Sequence, residues 1–109
     1  MKTITPGRRI PHDGKTLDDV YGLVQQPGDY MGPMEGRPGM NPSVWFLLPI
    51  ARDKDVEPGG RSLHHVQSPP HVFTEESDGT LTIRESIGAG PPNYYWHGYL
   101  TRGVWETCD

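Results

Sequence analysis

Four histidines, His64, His65, His71 and His97, and the single cysteine, Cys108, are the side chains of this sequence best suited to holding a metal ion. Zinc needs three or four such ligands converging in tetrahedral geometry. The spacing works against that. On a strand the adjacent His64 and His65 point to opposite faces, so a single cluster takes at most one of them. No C-x-x-C, no H-E-x-x-H and no H-x-E paired with P-C-x-x-C occurs. The expectation is therefore surface or hydrogen-bonded core histidines, no metal and no cofactor. A metal-dependent hydrolase built on these histidines is kept as an alternative.

Other chemistries fare worse. Ser62, Ser68 and Ser86 lack the strand-turn-helix elbow of an activated serine, and Cys108 is next to the last residue of the sequence, a poor place to pre-organise a nucleophile. Glu75, Glu76, Asp78 and Glu85 could supply a carboxylate pair. They flank a predicted hairpin turn, where solvation would leave their pKa values ordinary and their charges would guard a sheet edge. Gly88-Ala89-Gly90-Pro91-Pro92 leads to no helix and carries no Lys, so it is not a phosphate loop. No catalytic residue is assigned, and a non-enzymatic role is expected.

What remains is a binding surface. Tyr94, Tyr95, Trp96, Tyr99 and Trp105 offer more ring area than one small sheet face can bury, and strand alternation sends some of it to the second face. Tyr95, His97 and Tyr99 fall opposite Tyr94, Trp96 and Leu100. With Arg102 nearby, they would form a rigid platform for a partner protein or for the base of a nucleotide. Met31, Met34, Arg37 and Met40 lie in a Gly/Pro-rich stretch from Pro27 to Ser43, expected to be either a loop whose methionines adapt to a partner or a covering loop pinned by its Met and Tyr30 side chains.

The elements that position these residues follow from punctuation and periodicity. Met1 to Lys15 reads as an extended arm, laid on the domain or left loose. Thr16 can cap a short helix in which Leu17, Val20, Tyr21 and Val24 share a face, ended by Pro27-Gly28. Gly28, Gly32, Gly36 and Gly39 alternating with Pro33, Pro38 and Pro42 argue against any regular ladder from Pro27 to Ser43. Val44-Trp45-Phe46-Leu47-Leu48 is a continuous apolar run, the mark of a strand buried on both faces. A polar turn is predicted over Asp53 to Arg61, then a strand over Ser62 to Val66 broken by Ser68-Pro69-Pro70. Ser77-Asp78-Gly79 and Thr101-Arg102-Gly103 each read as the turn of a hairpin. The core is predicted to include Trp45, Phe46, Leu48, Leu81, Ile83 and Trp96.

Length and composition bound the result. The 109 residues fit a single β-rich domain, and 14 Gly, 12 Pro and a mean hydropathy of −0.66 describe a loop-rich chain of modest stability. A homo-oligomer would add buried surface. The net charge of −4, with no basic block, argues against duplex nucleic acid. There is no apolar run of membrane-spanning length and no signal-peptide pattern, and one cysteine fits a reducing cytoplasm.

The stretch F-T-E-E-S-D-G-T-L-T-I-R-E-S-I and the ending W-H-G-Y-L-T-R-G-V-W are similar to small uncharacterised proteins of tailed phages and bacteria, which share a D-G-x-L-x-I-x-x-S-I hairpin and a W-H-G-x-[LI]-x-x-G-x-W ending. The resemblance covers residues 71–108. It implies a phage or prophage accessory gene and names no activity. Some relatives carry clustered cysteines suited to zinc, which this chain lacks. The reading that results is a mainly β domain of five to seven antiparallel strands, a sandwich or half-open barrel with one short helix. Its expected role is counter-defence or host takeover, by binding a host protein or sequestering a nucleotide-like signal. A virion decoration module is the alternative from a different class.

Overall fold

The apolar run from Val44 to Leu48 is buried from end to end, and its side chains alternate between two separate cores. That double burial organises the molecule. The computed structural model describes residues 3–35, 39–49, 63–89 and 96–108. Its elements are β1 (Ile4–Pro6), β2 (Arg8–Ile10), α1 (Leu17–Leu23), β3 (Asp29–Met34), β4 (Ser43–Leu47), β5 (Leu63–Gln67), β6 (Val72–Glu75), β7 (Leu81–Ala89), β8 (Trp96–Thr101) and β9 (Val104–Thr107). They form a four-stranded sheet of order β2-β3-β4-β5 and a five-stranded sheet of order β1-β9-β8-β7-β6.

Tyr30, Val44, Phe46 and Leu48 face Leu81, Ile83, Ile87, Trp96, Leu100 and Trp105 between the two sheets. Trp105 sits at the centre. Its indole N–H donates to the Gly28 carbonyl at 2.8 Å, and its ring packs against Phe46 at 4.9 Å and edge-on against Trp96 at 5.4 Å. On the other face of the four-stranded sheet, Met31, Trp45 and Leu47 pack under Val20 and Val24 of the helix segment. The predicted core residues are all buried, in a small β sandwich carrying one helix.

Thr16 precedes α1 as expected, with the Asp19 carboxylate accepting its backbone N–H at 2.8 Å. Tyr21, assigned to the buried face, is instead exposed, because Val20 and Val24 define a stripe narrower than the sequence pattern suggested.

Three expectations are corrected. The Pro27 to Ser43 stretch contains a ladder strand, β3. The register slips between Met31 and Met34, at Gly32-Pro33, so the imino acid sits at a bulge, where a sheet tolerates it. Gly32 has φ 129°, and a Cβ there would come within 2.6 Å of the Ser43 carbonyl, which explains the glycine. The N-terminal arm is extended and held on the domain, not loose, and it enters the sheets themselves: β1 pairs with β9 and β2 with β3, so the arm gives one strand to each sheet. The strands number nine among the described residues, not five to seven, and β2 runs parallel to β3 because a helical crossover joins them. The predicted turn over Asp53 to Arg61 lies outside the described residues.

Candidate functional site

The strand alternation read from the C-terminal hairpin holds. Trp96, Gly98 and Leu100 of β8 turn inward, and His97, Tyr99 and Thr101 turn out. A Cβ on Gly98 would collide with the Glu106 carbonyl and come within 2.7 Å of the Trp96 ring, so glycine is what lets that ring fold over the strand. The β8–β9 turn has Arg102 at φ 45° and Gly103 at φ 76°, the two-residue geometry that matches strand twist.

The sequence-predicted platform is only partly assembled. His97 and Tyr99 stand side by side in sequence order on the outer face of the five-stranded sheet. Arg102 is at the hairpin tip, its guanidinium 3.6 Å from Glu76 and 3.9 Å from Asp78. Met31 is fully buried beneath the helix, and Met34 and Met40 are partly buried against that same core, so the methionines are packing residues on the far side of the molecule from Tyr99. Tyr95 and Arg37 lie outside the described residues.

The neighbours of Tyr99 come from strands that carried no functional signal. Tyr99 pairs with Glu106 of β9, and Glu106 with Ile4 of β1. On the other side the ladder slips between Ile83, the partner of Leu100, and Ile87, the partner of Gly98, so Tyr99 faces the bulge formed by Arg84, Glu85 and Ser86. Val72 of β6 in turn pairs with Arg84. The outward residues here are thus the pair Val72 and Arg84 on one side of the bulge and the row Tyr99, Glu106, Ile4 on the other. The next row carries Thr74, Thr101, Val104 and Pro6, while Thr82, the partner of Thr74, is buried. Among the described residues five large apolar side chains are exposed: Ile4 (63%), Tyr21, Val72 (54%), Tyr99 (43%) and Val104. All but Tyr21 stand on this one face. The signal for Val72 and Val104 was present in the pairs Val72-Phe73 and Val104-Trp105, where the ring takes the core position and alternation sends the valine out.

The charged groups around the face hold the two sheets together. Arg9 of β2 donates to both carboxylate oxygens of Glu75 at 2.6 Å, and to the carbonyls of Gly32 at 2.9 Å and Gly79 at 3.1 Å. That pair raises the Arg9 pKa and lowers that of Glu75. The Thr80 hydroxyl and N–H, donating to Asp78, lower the Asp78 pKa. Two carboxylates expected to titrate ordinarily are therefore held in their charged form, Glu75 by an arginine of the N-terminal arm and Asp78 by its near neighbour Thr80. Asp29 is buried, which opposes its charge. Arg8 at 2.6 Å and the N–H groups of Gln25 and Gln26 outweigh that cost, and its pKa ends below the usual carboxylate value.

The histidines are dispersed. His65 stacks on Trp45 at 5.6 Å, His64 lies tilted against Phe46, and His71 Nε2 is 3.4 Å from the Ser86 carbonyl. Among the described residues no three His, Cys, Asp or Glu side chains group as metal ligands would. No described helix is long and apolar enough to cross a membrane.

The fold and the face together define a two-sheet sandwich with one helix-covered side and one outward face that carries four exposed large apolar side chains. No family model matches the chain, and no curated protein and no solved structure matches it.

Proposed function

We propose that this chain is a non-enzymatic accessory binding protein, phage-encoded, that engages a protein of the bacterial host through the outer face of its five-stranded sheet. One observation carries the reading: four of the five exposed large apolar side chains among the described residues stand on that face. Large apolar side chains gathered on one exposed face mark interaction sites on proteins that are otherwise polar outside. A pleated face of alternating residues suits a protein surface better than a nucleotide-like signal, which calls for a concave pocket with convergent polar groups. The hairpin motifs shared with small tailed-phage proteins support the phage setting, and a host cytoplasm is the compartment that follows.

The test is capture of host proteins on immobilised chain, repeated with Tyr99→Ala and Val72→Asp. A specific partner held by the wild type should be weakened by Tyr99→Ala about 30-fold, the size expected of a central aromatic contact worth about 2 kcal/mol. Retention of that partner by both variants, with their melting temperatures unchanged, would place the binding surface elsewhere.

A further inference from the structure

No residue from Thr3 to Ile10 is buried: Ile4 is 63% exposed, and Ile10 reaches only the margin of the core beneath α1. Strands β1 and β2 are three residues each, and each lies at the edge of its sheet, with one neighbour. What fastens this arm is charge. Arg8 donates to the two oxygens of Asp29 at 3.0 and 2.6 Å, and Arg9 to the two oxygens of Glu75 at 2.6 Å. Segments with little apolar burial open at a lower free energy than the body they lie on. The junction to that body is light: the Lys15 N–H donates to the His12 carbonyl at 3.0 Å, and Pro11 and residues 13–16 are exposed.

Gly7 crosses two core rings. A Cβ there would come within 3.0 Å of both the Trp105 and Tyr30 rings and within 2.7 Å of the Gly103 carbonyl oxygen, which accepts the Gly7 N–H at 2.8 Å. With the arm lifted, one slot would be lined by the edges of β9 and β3, the edge-on pair Tyr30–Trp105, and the carboxylates of Asp29 and Glu75. We infer that the arm is a strap over a strand-binding slot. It opens as a unit while the other strands stay folded, and the open slot takes an extended partner segment carrying adjacent basic residues. The arm itself defines that chemistry. It pairs by its backbone with both sheet edges, passes a glycine over the rings, and spaces two arginines to meet two carboxylates with paired hydrogen bonds. In the closed state it is an autoinhibitory contact.

Hydrogen exchange of the full chain tests the strap. The amides that tie the arm down, Gly7 and Thr107 among them, should be at least about 100-fold less protected than those of β4. Raising NaCl from about 0.05 M to about 1 M should lower arm protection a further tenfold or so and change β4 less than about threefold. Glu75→Gln should act as salt does. Gly7→Ala, whose methyl does not fit over the rings, should abolish arm protection and leave β4 protected. The full chain carrying Gly7→Ala should bind a labelled peptide of residues 3–10, T-I-T-P-G-R-R-I, with a Kd on the order of 100 μM. Wild type should bind it at least about tenfold more weakly, since its own arm fills the slot, and replacing both peptide arginines by Gln should cost at least about tenfold. Arm amides as protected as β4, or protection lost throughout the Gly7→Ala chain, would overturn the strap. A peptide that fails to bind Gly7→Ala, binds wild type equally well, or binds as well without its arginines would overturn the slot and its basic occupant.

Discussion

Trp105→Phe isolates what the central indole contributes to joining the two sheets. Two costs follow from its surroundings. The Gly28 carbonyl, buried and accepting the indole N–H at 2.8 Å, is left without that donor. An unsatisfied buried acceptor costs about 1–3 kcal/mol. Phenylalanine is smaller by roughly 40 Å³, and at about 24 cal/mol per Å³ of cavity this adds around 1 kcal/mol where Phe46 and Trp96 cannot close the gap. The sum is about 2–4 kcal/mol, a large fraction of the stability of a small domain. Thermal unfolding followed by circular dichroism should show the midpoint lowered by roughly 10–15 °C, and urea unfolding should show a lower midpoint with an unchanged slope. Val104→Thr, the exposed neighbour, should change stability by no more than about 0.5 kcal/mol. A Trp105→Phe midpoint within about 3 °C of wild type would refute the claim that the indole is the keystone of the inter-sheet core.

Gly98→Ala should prevent the chain from folding stably, since its methyl would collide with the Glu106 carbonyl and the Trp96 ring; soluble expression with a native melt would contradict that packing. Asp29 has a folded-state pKa below its ordinary 3.8, so its contribution to stability is whole above that value and is lost as the pH falls further, through the folded-state pKa. Asp29→Asn should lower stability at neutral pH and flatten the loss below about pH 4, and an acid limb identical to wild type would show that the Arg8–Asp29 pair does not carry it.

The sequence was most legible where one side chain settled its own position. Val44 to Leu48 had no polar alternation and is buried on both faces. Thr101-Arg102-Gly103 supplied the two left-handed residues of a tight turn, and the aromatic alternation of β8 was readable through to His97 and Tyr99. It was least legible where the structure depends on residues far away. Strands β1 and β2 are three residues each, interrupted by Pro6 and Gly7, and only their distant partners β9 and β3 make them strands. Pro33 hid β3 because a proline at a bulge looks, locally, like a proline in a loop. Met31 was read as adaptable surface for the same reason: without β3 there was no sheet to place it under α1. The outward face was half visible in Tyr99 and His97, but Ile4 and Val72 reach it only through pairing across the whole chain.

That pairing also governs when the protein can form. Ile4 to Pro6 find their partners at Val104 to Glu106, so the five-stranded sheet lacks an edge strand until β9 has left the ribosome. Until then Trp96, Leu100 and the inner face of the four-stranded sheet have little to close against, and such non-local closure is slow and exposes apolar surface in the interval. The nascent chain therefore completes its core late rather than domain-first from its leading end. A growing chain stalled before β9 should be highly sensitive to protease, and a chain with β9 free of the ribosome should not.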